Sequence, residues 1–190
     1  MSQFTCRNST CHGPRPVIAP RGCAPLLRRA GLGPVVEMLP GERHVVGEIT
    51  VEAVAAEHDG RRHPLARRVP ALGFLLEGAS RVYFAGDTDL FDGMEVLGEG
   101  LDLALLPVWG WGPTLGPGHL DPARAARAAA LLSPRIAVPI HWGTLYPLGL
   151  ARLRPGPLRS PGREFAARVR ELAPQVEARV LAPGESTSLS

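Results

Sequence analysis

The chain has 190 residues, of which 45% are apolar and 21% charged, proportions that suit one globular domain with a true core and argue against disorder. Its net charge is +3, and all 21 basic residues are Arg, with no Lys. This reads as a coding bias, and a charge so small and so evenly spread predicts no nucleic-acid partner. Gly (22) and Pro (20) predict many loops, but no G-X-Y period supports a fibre.

Met1 to Thr10 carries one Arg and no apolar h-region, so it does not read as a signal peptide. No apolar run reaches 18 residues, so no membrane-spanning helix is expected. Three cysteines, Cys6, Cys11 and Cys23, cannot form a disulfide framework, and the C-x4-C-H spacing of Cys6, Cys11 and His12 matches no structural zinc pattern. A reducing, cytoplasmic compartment is the expectation. Strands are predicted over residues 16–20 and 35–39, with a helix over 23–30 between them, stopped by Gly31 and Gly33. Residues 49–54 alternate apolar and polar side chains, the mark of a half-buried strand. Two further strands, 72–76 and 81–85, are separated by the turn residues Glu77 to Ser80. Residues 101–108 are almost wholly apolar, as in a strand covered on both faces. Asp121-Pro122 begins a helix through 132, with an N-cap followed by Pro at the first helical position. A buried strand is predicted over 135–140, a Pro/Gly/Arg loop over 151–162, a helix over 163–172 and a last strand over 177–181. Strands and helices in this alternation imply a layered α/β sandwich.

Four polar side chains fall at predicted strand ends or beside turns, where sites collect. Asp87 follows the strand Arg81 to Gly86, His58 ends the strand from Val51, His141 ends the strand from Ile136, and His119 precedes the Asp121 cap in a loop rich in glycine. A carboxylate at the mouth of a buried strand is costly unless capped, paired or bound to a metal. Imidazole with carboxylate is a donor set that zinc prefers. His44 and His63 have no such setting and read as solvated.

Those residues fall in recognisable pieces. Ala56-Glu57-His58, Tyr83-Phe84-Ala85-Gly86-Asp87-Thr88, His119-Leu120-Asp121-Pro122 and Pro139-Ile140-His141-Trp142-Gly143-Thr144 stand 29, 32 and 22 residues apart, counted between their His and Asp members. In that order they resemble the metallo-β-lactamase superfamily. The likeness is to the branch similar to N-acylphosphatidylethanolamine phospholipase D and ascorbate-6-phosphate lactonase. The resemblance implies an αββα sandwich, α/β in class, with a non-family segment at 1–13 and a partial domain at 14–190. It further implies that His58 binds a first metal, that Asp87 bridges two, that His141 binds the second, and that His119 holds or protonates the leaving group. Trp109 and Trp111 would line the pocket rim. A metal-activated hydroxide would then attack a phosphodiester, lactone or amide in a small-molecule or lipid-like substrate.

The family's principal signature, H-x-H-x-D-H, is absent, and no His-x-His pair occurs anywhere among the six histidines. The domain therefore reads as incomplete at its N-terminus. Of the two zinc ions that the family domain would hold, at most one is expected here, among His58, Asp87 and His141. Two readings stay open: a metal-dependent hydrolase, and a catalytically inactive remnant or binding module of the same fold. Missing strands would leave a sheet edge open to self-association, with Val17, Ile18 and Val51 only partly covered.

Overall fold

Val, Ile, Thr, Tyr or Phe make up much of the strand segments 17–18, 35–36, 45–46, 49–54, 82–84 and 136–140, as their fit to a pleated, half-buried surface favours, whereas Leu and Ala fill 103–106. The computed structural model describes residues 15–58, 69–110, 115–144, 146–147, 149–153 and 156–189. Its strands are β1 (Val17–Pro20), β2 (Val35–Met38), β3 (Arg43–Val46), β4 (Ile49–Ala55), β5 (Leu72–Glu77), β6 (Arg81–Phe84), β7 (Leu103–Pro107), β8 (Ile136–Ile140) and β9 (Glu177–Ala178). Its helices are α1 (Ala24–Arg29), α2 (Pro122–Leu132), α3 (Leu150–Leu153), α4 (Gly156–Arg159) and α5 (Pro161–Leu172), with a 3-10 turn at Met94–Gly98.

β1 and β2 form a parallel pair, and β3 to β9 form a seven-stranded sheet whose spatial order follows the sequence. β3 through β6 are joined antiparallel, whereas β6 through β9 are parallel. The changeover strand is β6. Because β4 and β6 both run against β5, the C-terminal ends of β4, β6, β7 and β8 share one edge of the sheet. In such sheets, ligand sites form at that edge.

Side-chain alternation sends Leu75, Tyr83, Ala104, Leu106 and Ala137 to one face, where they meet α2 and α5. The sequence of α2 suits this position. Asp121 accepts the Arg124 backbone N–H at 2.8 Å, Pro122 follows the cap, and four alanines on its inner side are fully buried, letting the helix lie close to the sheet. α5 inserts Phe165 and Val169, both fully buried, and a Phe so placed contributes about 1.5–3 kcal/mol. The opposite face is covered in two places. Ile18, Val36 and Met38 of the small sheet pack on Ala53, Leu72 and Phe74. Leu181 and Leu189 pack on Leu103, Ile136 and Val138.

Several expectations change in detail. Residues 43–46 form a strand the sequence reading omits, and β3 is the outermost strand of the sheet, with Val45 65% exposed. Within the predicted loop 151–162, α3 and α4 supply short helical turns. The last strand stops at Ala178. Beyond it, Arg179 donates to Glu177, Thr187 and Ser188, a clasp that accompanies the turning of Leu181 onto the sheet face. Val17 and Ile18 are half-buried as expected, but Val51 is buried. Among the described residues, no helix is long and apolar enough to cross a membrane.

Candidate metal centre

Asp87 reaches the sheet edge through the turn that ends β6. Ala85 is fully buried, and Gly86 turns the chain with φ +68° against β5. A Cβ on Gly86 would lie 2.7 Å from the Leu72 carbonyl oxygen, so no other residue fits there without displacement. Thr88, fully buried, then ties the neighbouring segment in place: the Glu57 N–H donates to its hydroxyl at 2.9 Å, and the Asp89 N–H donates to the Glu57 carbonyl at 3.0 Å. His58 is thereby brought beside Asp87.

Three imidazoles face one oxygen of that carboxylate. From Asp87 Oδ2, the Nε2 atoms of His119 and His141 are each 3.3 Å away and that of His58 is 3.9 Å away. His58 and His119 meet edge to face, with ring centroids 4.7 Å apart and planes at 84°. The ligand atoms of His58, Asp87 and His119 all lie within 4.8 Å of one another. His141 reaches Asp87 without joining that trio.

The rings are oriented for their Nε2 atoms to bind. His58 Nδ1 lies 3.0 Å from the Gly118 carbonyl and His119 Nδ1 lies 3.1 Å from the Pro117 carbonyl. A carbonyl can only accept, so a neutral ring that donates to it carries its proton on Nδ1 and keeps Nε2 available as a ligand. Asp87 Oδ1, in turn, is buried and has no hydrogen-bond partner among the described residues. A buried carboxylate oxygen left without a donor is expensive, and a cation would satisfy it. The donor set fits a divalent ion on these grounds. The Asp87 carboxylate also holds the His141 imidazole above its ordinary range, mainly through their hydrogen bond and further through its charge, while partial burial opposes the shift.

The other sequence candidates are placed differently. Trp109 is half-buried and lines an open cleft of about 530 Å³ between α2 and α5 with Asp121, Glu164 and Arg168. None of His58, Asp87, His119 or His141 lines that cleft. Trp111, His12, Cys6, Cys11 and His63 lie outside the described residues, and His44 is half-buried on β3. Thr88 and Trp142 carry structural weight at the site that the sequence reading did not assign. Both stand within the quoted Gly-Asp-Thr and Pro-Ile-His-Trp-Gly-Thr pieces, next to a candidate ligand.

Three histidines thus surround one aspartate at the strand ends of a mixed sheet backed by helices. The family profile described as "Beta-lactamase superfamily domain" matches residues 4–142, and the chain belongs to that metallo-β-lactamase superfamily. It is 44% identical over 116 residues to a UPF0173 metal-dependent hydrolase of Thermus thermophilus, an alignment covering 60% of this chain and 44% of the relative. Against the UPF0173 metal-dependent hydrolase of Deinococcus radiodurans it is 40% identical over 119 residues, covering 62% of this chain and 44% of the relative. The chain thus spans less than half the length of the curated relatives it matches. Among solved structures, Igni18, a metallo hydrolase from Ignicoccus hospitalis, superposes with TM-score 0.65 at 26% identity, covering 88% of this chain and 66% of that one. The metallo-beta-lactamase fold protein YhfI of Bacillus subtilis, with TM-score 0.60 at 13% identity over 87% of this chain and 61% of that one, shares the fold.

Proposed function

We propose that the chain is a metal-dependent hydrolase acting on a phosphodiester, lactone or amide in a small or lipid-like substrate, with one zinc-like ion held by His58, Asp87 and His119. The observation that carries this reading is the mutual approach of those three ligand atoms within 4.8 Å, beside an orphaned carboxylate oxygen. Two imidazoles and a carboxylate make a donor set of the kind zinc takes. An ion so bound lowers the pKa of water and polarises the bond to be cleaved. The protein's own groups do the rest. The Gly118 and Pro117 carbonyls hold two rings in the binding tautomer. His141, outside the trio but within 3.3 Å of Asp87 and disposed to carry a proton, is placed to give it from Nε2 to the leaving oxygen or nitrogen.

This exchanges the roles that the family resemblance gives to His119 and His141, and the reason is geometric: the ligand nitrogen of His119, not that of His141, lies within reach of both His58 and Asp87. The test is elemental analysis with cobalt(II) spectroscopy after dialysis. One ion per chain is expected, lost in His119→Ala and retained in His141→Ala. Loss in His141→Ala alone would restore the order implied by the resemblance. No bound ion in the parent chain would favour the inactive remnant. The exposed outer edge of β3 supports self-association, which sedimentation at several concentrations would detect.

A further inference from the structure

His141 is the most exposed of the four polar side chains, at 40%, and its backbone takes φ +61°. A left-handed non-glycine residue is held at a cost of roughly 1–2 kcal/mol, so the surroundings must impose it. The next residue shows how. Trp142 is half-buried and packs on the main core, with its six-membered ring over Gly162, the second residue of α5. A Cβ at Gly162 would stand 2.6 Å from Trp142 Cζ2, 3.0 Å from Cε2 and 3.1 Å from Val180 Cγ1. Gly143 closes the same loop with φ +79°, and a Cβ there would meet the Leu158 carbonyl of α4 at 3.3 Å. Glycine in a helix is ordinarily a loss of up to about 1 kcal/mol against alanine. At Gly162 the missing side chain is the space that the indole fills.

We infer that Trp142 and Gly162 are positioning residues for His141: the indole, seated on the bare backbone of α5, sets where the His141 imidazole meets Asp87. The arm carrying His141 is therefore braced by α4 and α5. The trio of His58, Asp87 and His119 is braced instead by Thr88 and by the loop carbonyls of Pro117 and Gly118. Two arms with separate supports can be perturbed separately. The functional weight of this seat rests on the proposed role of His141, whereas the seat itself is independent of any bound ion.

The experiment compares the histidine ring resonances of the parent chain, Gly162→Ala, Trp142→Phe and the double variant, all stripped with EDTA, with thermal melts alongside. In Gly162→Ala the added methyl pushes on the indole. The His141 ring resonances should shift or broaden, while those of His58 and His119 stay and the protein still melts cooperatively. The phenyl ring of the double variant lacks the fused ring that the methyl strikes. His141 should return toward its position in Trp142→Phe alone, a rescue that general loosening would not give. Cobalt(II) added to the same samples should report an unchanged trio. An unmoved His141 in folded Gly162→Ala would overturn the inference, as would equal displacement of all three rings. If Gly162→Ala does not fold, Trp142→Phe decides: His141 must move there more than His58 or His119 does. Failure of cobalt to bind the parent chain would count against the metal reading alone, because the ring resonances are read without metal.

Discussion

Thr88 and Glu57, 31 residues apart in sequence, are joined by one partly buried hydrogen bond, in which the Glu57 N–H donates to the Thr88 hydroxyl at 2.9 Å. The same hydroxyl donates to the Asp89 carbonyl at 2.9 Å, so a single fully buried oxygen joins the segment bearing His58 to the segment bearing Asp87. Thr88→Val keeps the volume and removes both bonds. It should cost about 1–3 kcal/mol in urea denaturation, because two hydrogen bonds are lost together. Thr88→Ser should retain most of the stability. A Val variant as stable as the parent would show that the link is dispensable.

Gly86→Ala should be among the most damaging small changes near the site. Its left-handed φ costs about 1–2 kcal/mol for an alanine, and the overlap with the Leu72 carbonyl adds roughly 1–3 kcal/mol. A loss of about 2–5 kcal/mol is expected, together with displacement of Asp87. Denaturant melts measure the first, and cobalt titration measures the second.

In metal-stripped protein, Asp87→Asn should lower the His141 pKa. Asp87 raises it through their hydrogen bond and its charge, so the folded state favours the imidazolium. The stabilisation from this pair is complete below the ordinary imidazole pKa and is lost as pH rises through the raised folded value. Histidine NMR titration of the parent and Asp87→Asn reads the shift directly. Equal midpoints for His141 in the two proteins would sink the assignment.

Tyr83 is fully buried on β6, its hydroxyl has no hydrogen-bond partner among the described residues, and burial pushes its phenol well above the ordinary tyrosine range. Tyr83→Phe should therefore be neutral or stabilising by as much as about 1–3 kcal/mol, the cost of an unpaired buried polar group. The phenol favours its neutral form in the fold. Stability from this group is thus intact below the ordinary phenol pKa and falls as pH rises above it. In a Tyr146→Phe background, the 295 nm ionisation step should coincide with loss of the native circular dichroism signal. A reversible step within the folded protein would contradict the burial.

Much of this was legible in the residues. Val and Ile alternation marked β4, the apolar run from Leu101 marked β7, and Asp121-Pro122 marked the start of α2, because those signals are local. β3 was not legible: Arg43-His44-Val45-Val46 is four residues long, and its strand character comes from pairing with β4. The end of β9 was overestimated because Val180 and Leu181 have strand-like side chains, but Leu181 packs across the sheet rather than along it. At the site, the strand-end positions of His58, Asp87 and His141 and the loop position of His119 are legible along the chain. Which way each imidazole turns is not, since the Gly118 and Pro117 carbonyls that orient two of them act through space. Gly162 reads as loop composition, and its close approach to Trp142 and Val180 explains it.

The change of strand direction at β6 bears on how the centre comes into being. On one side of β6, β3 through β6 are neighbours in sequence and antiparallel, a set of pairings with modest loop-closure cost. On the other side, β7 and β8 must wait for a crossover through α2, and such non-local parallel pairings form slowly. His58 belongs to the first half, His119 and His141 belong to the second, and Asp87 stands at the seam. The four side chains can meet only after the slower half has closed on the faster one. In a refolding experiment, the probe that reports their meeting should therefore lag behind amide protection in β4 and β5.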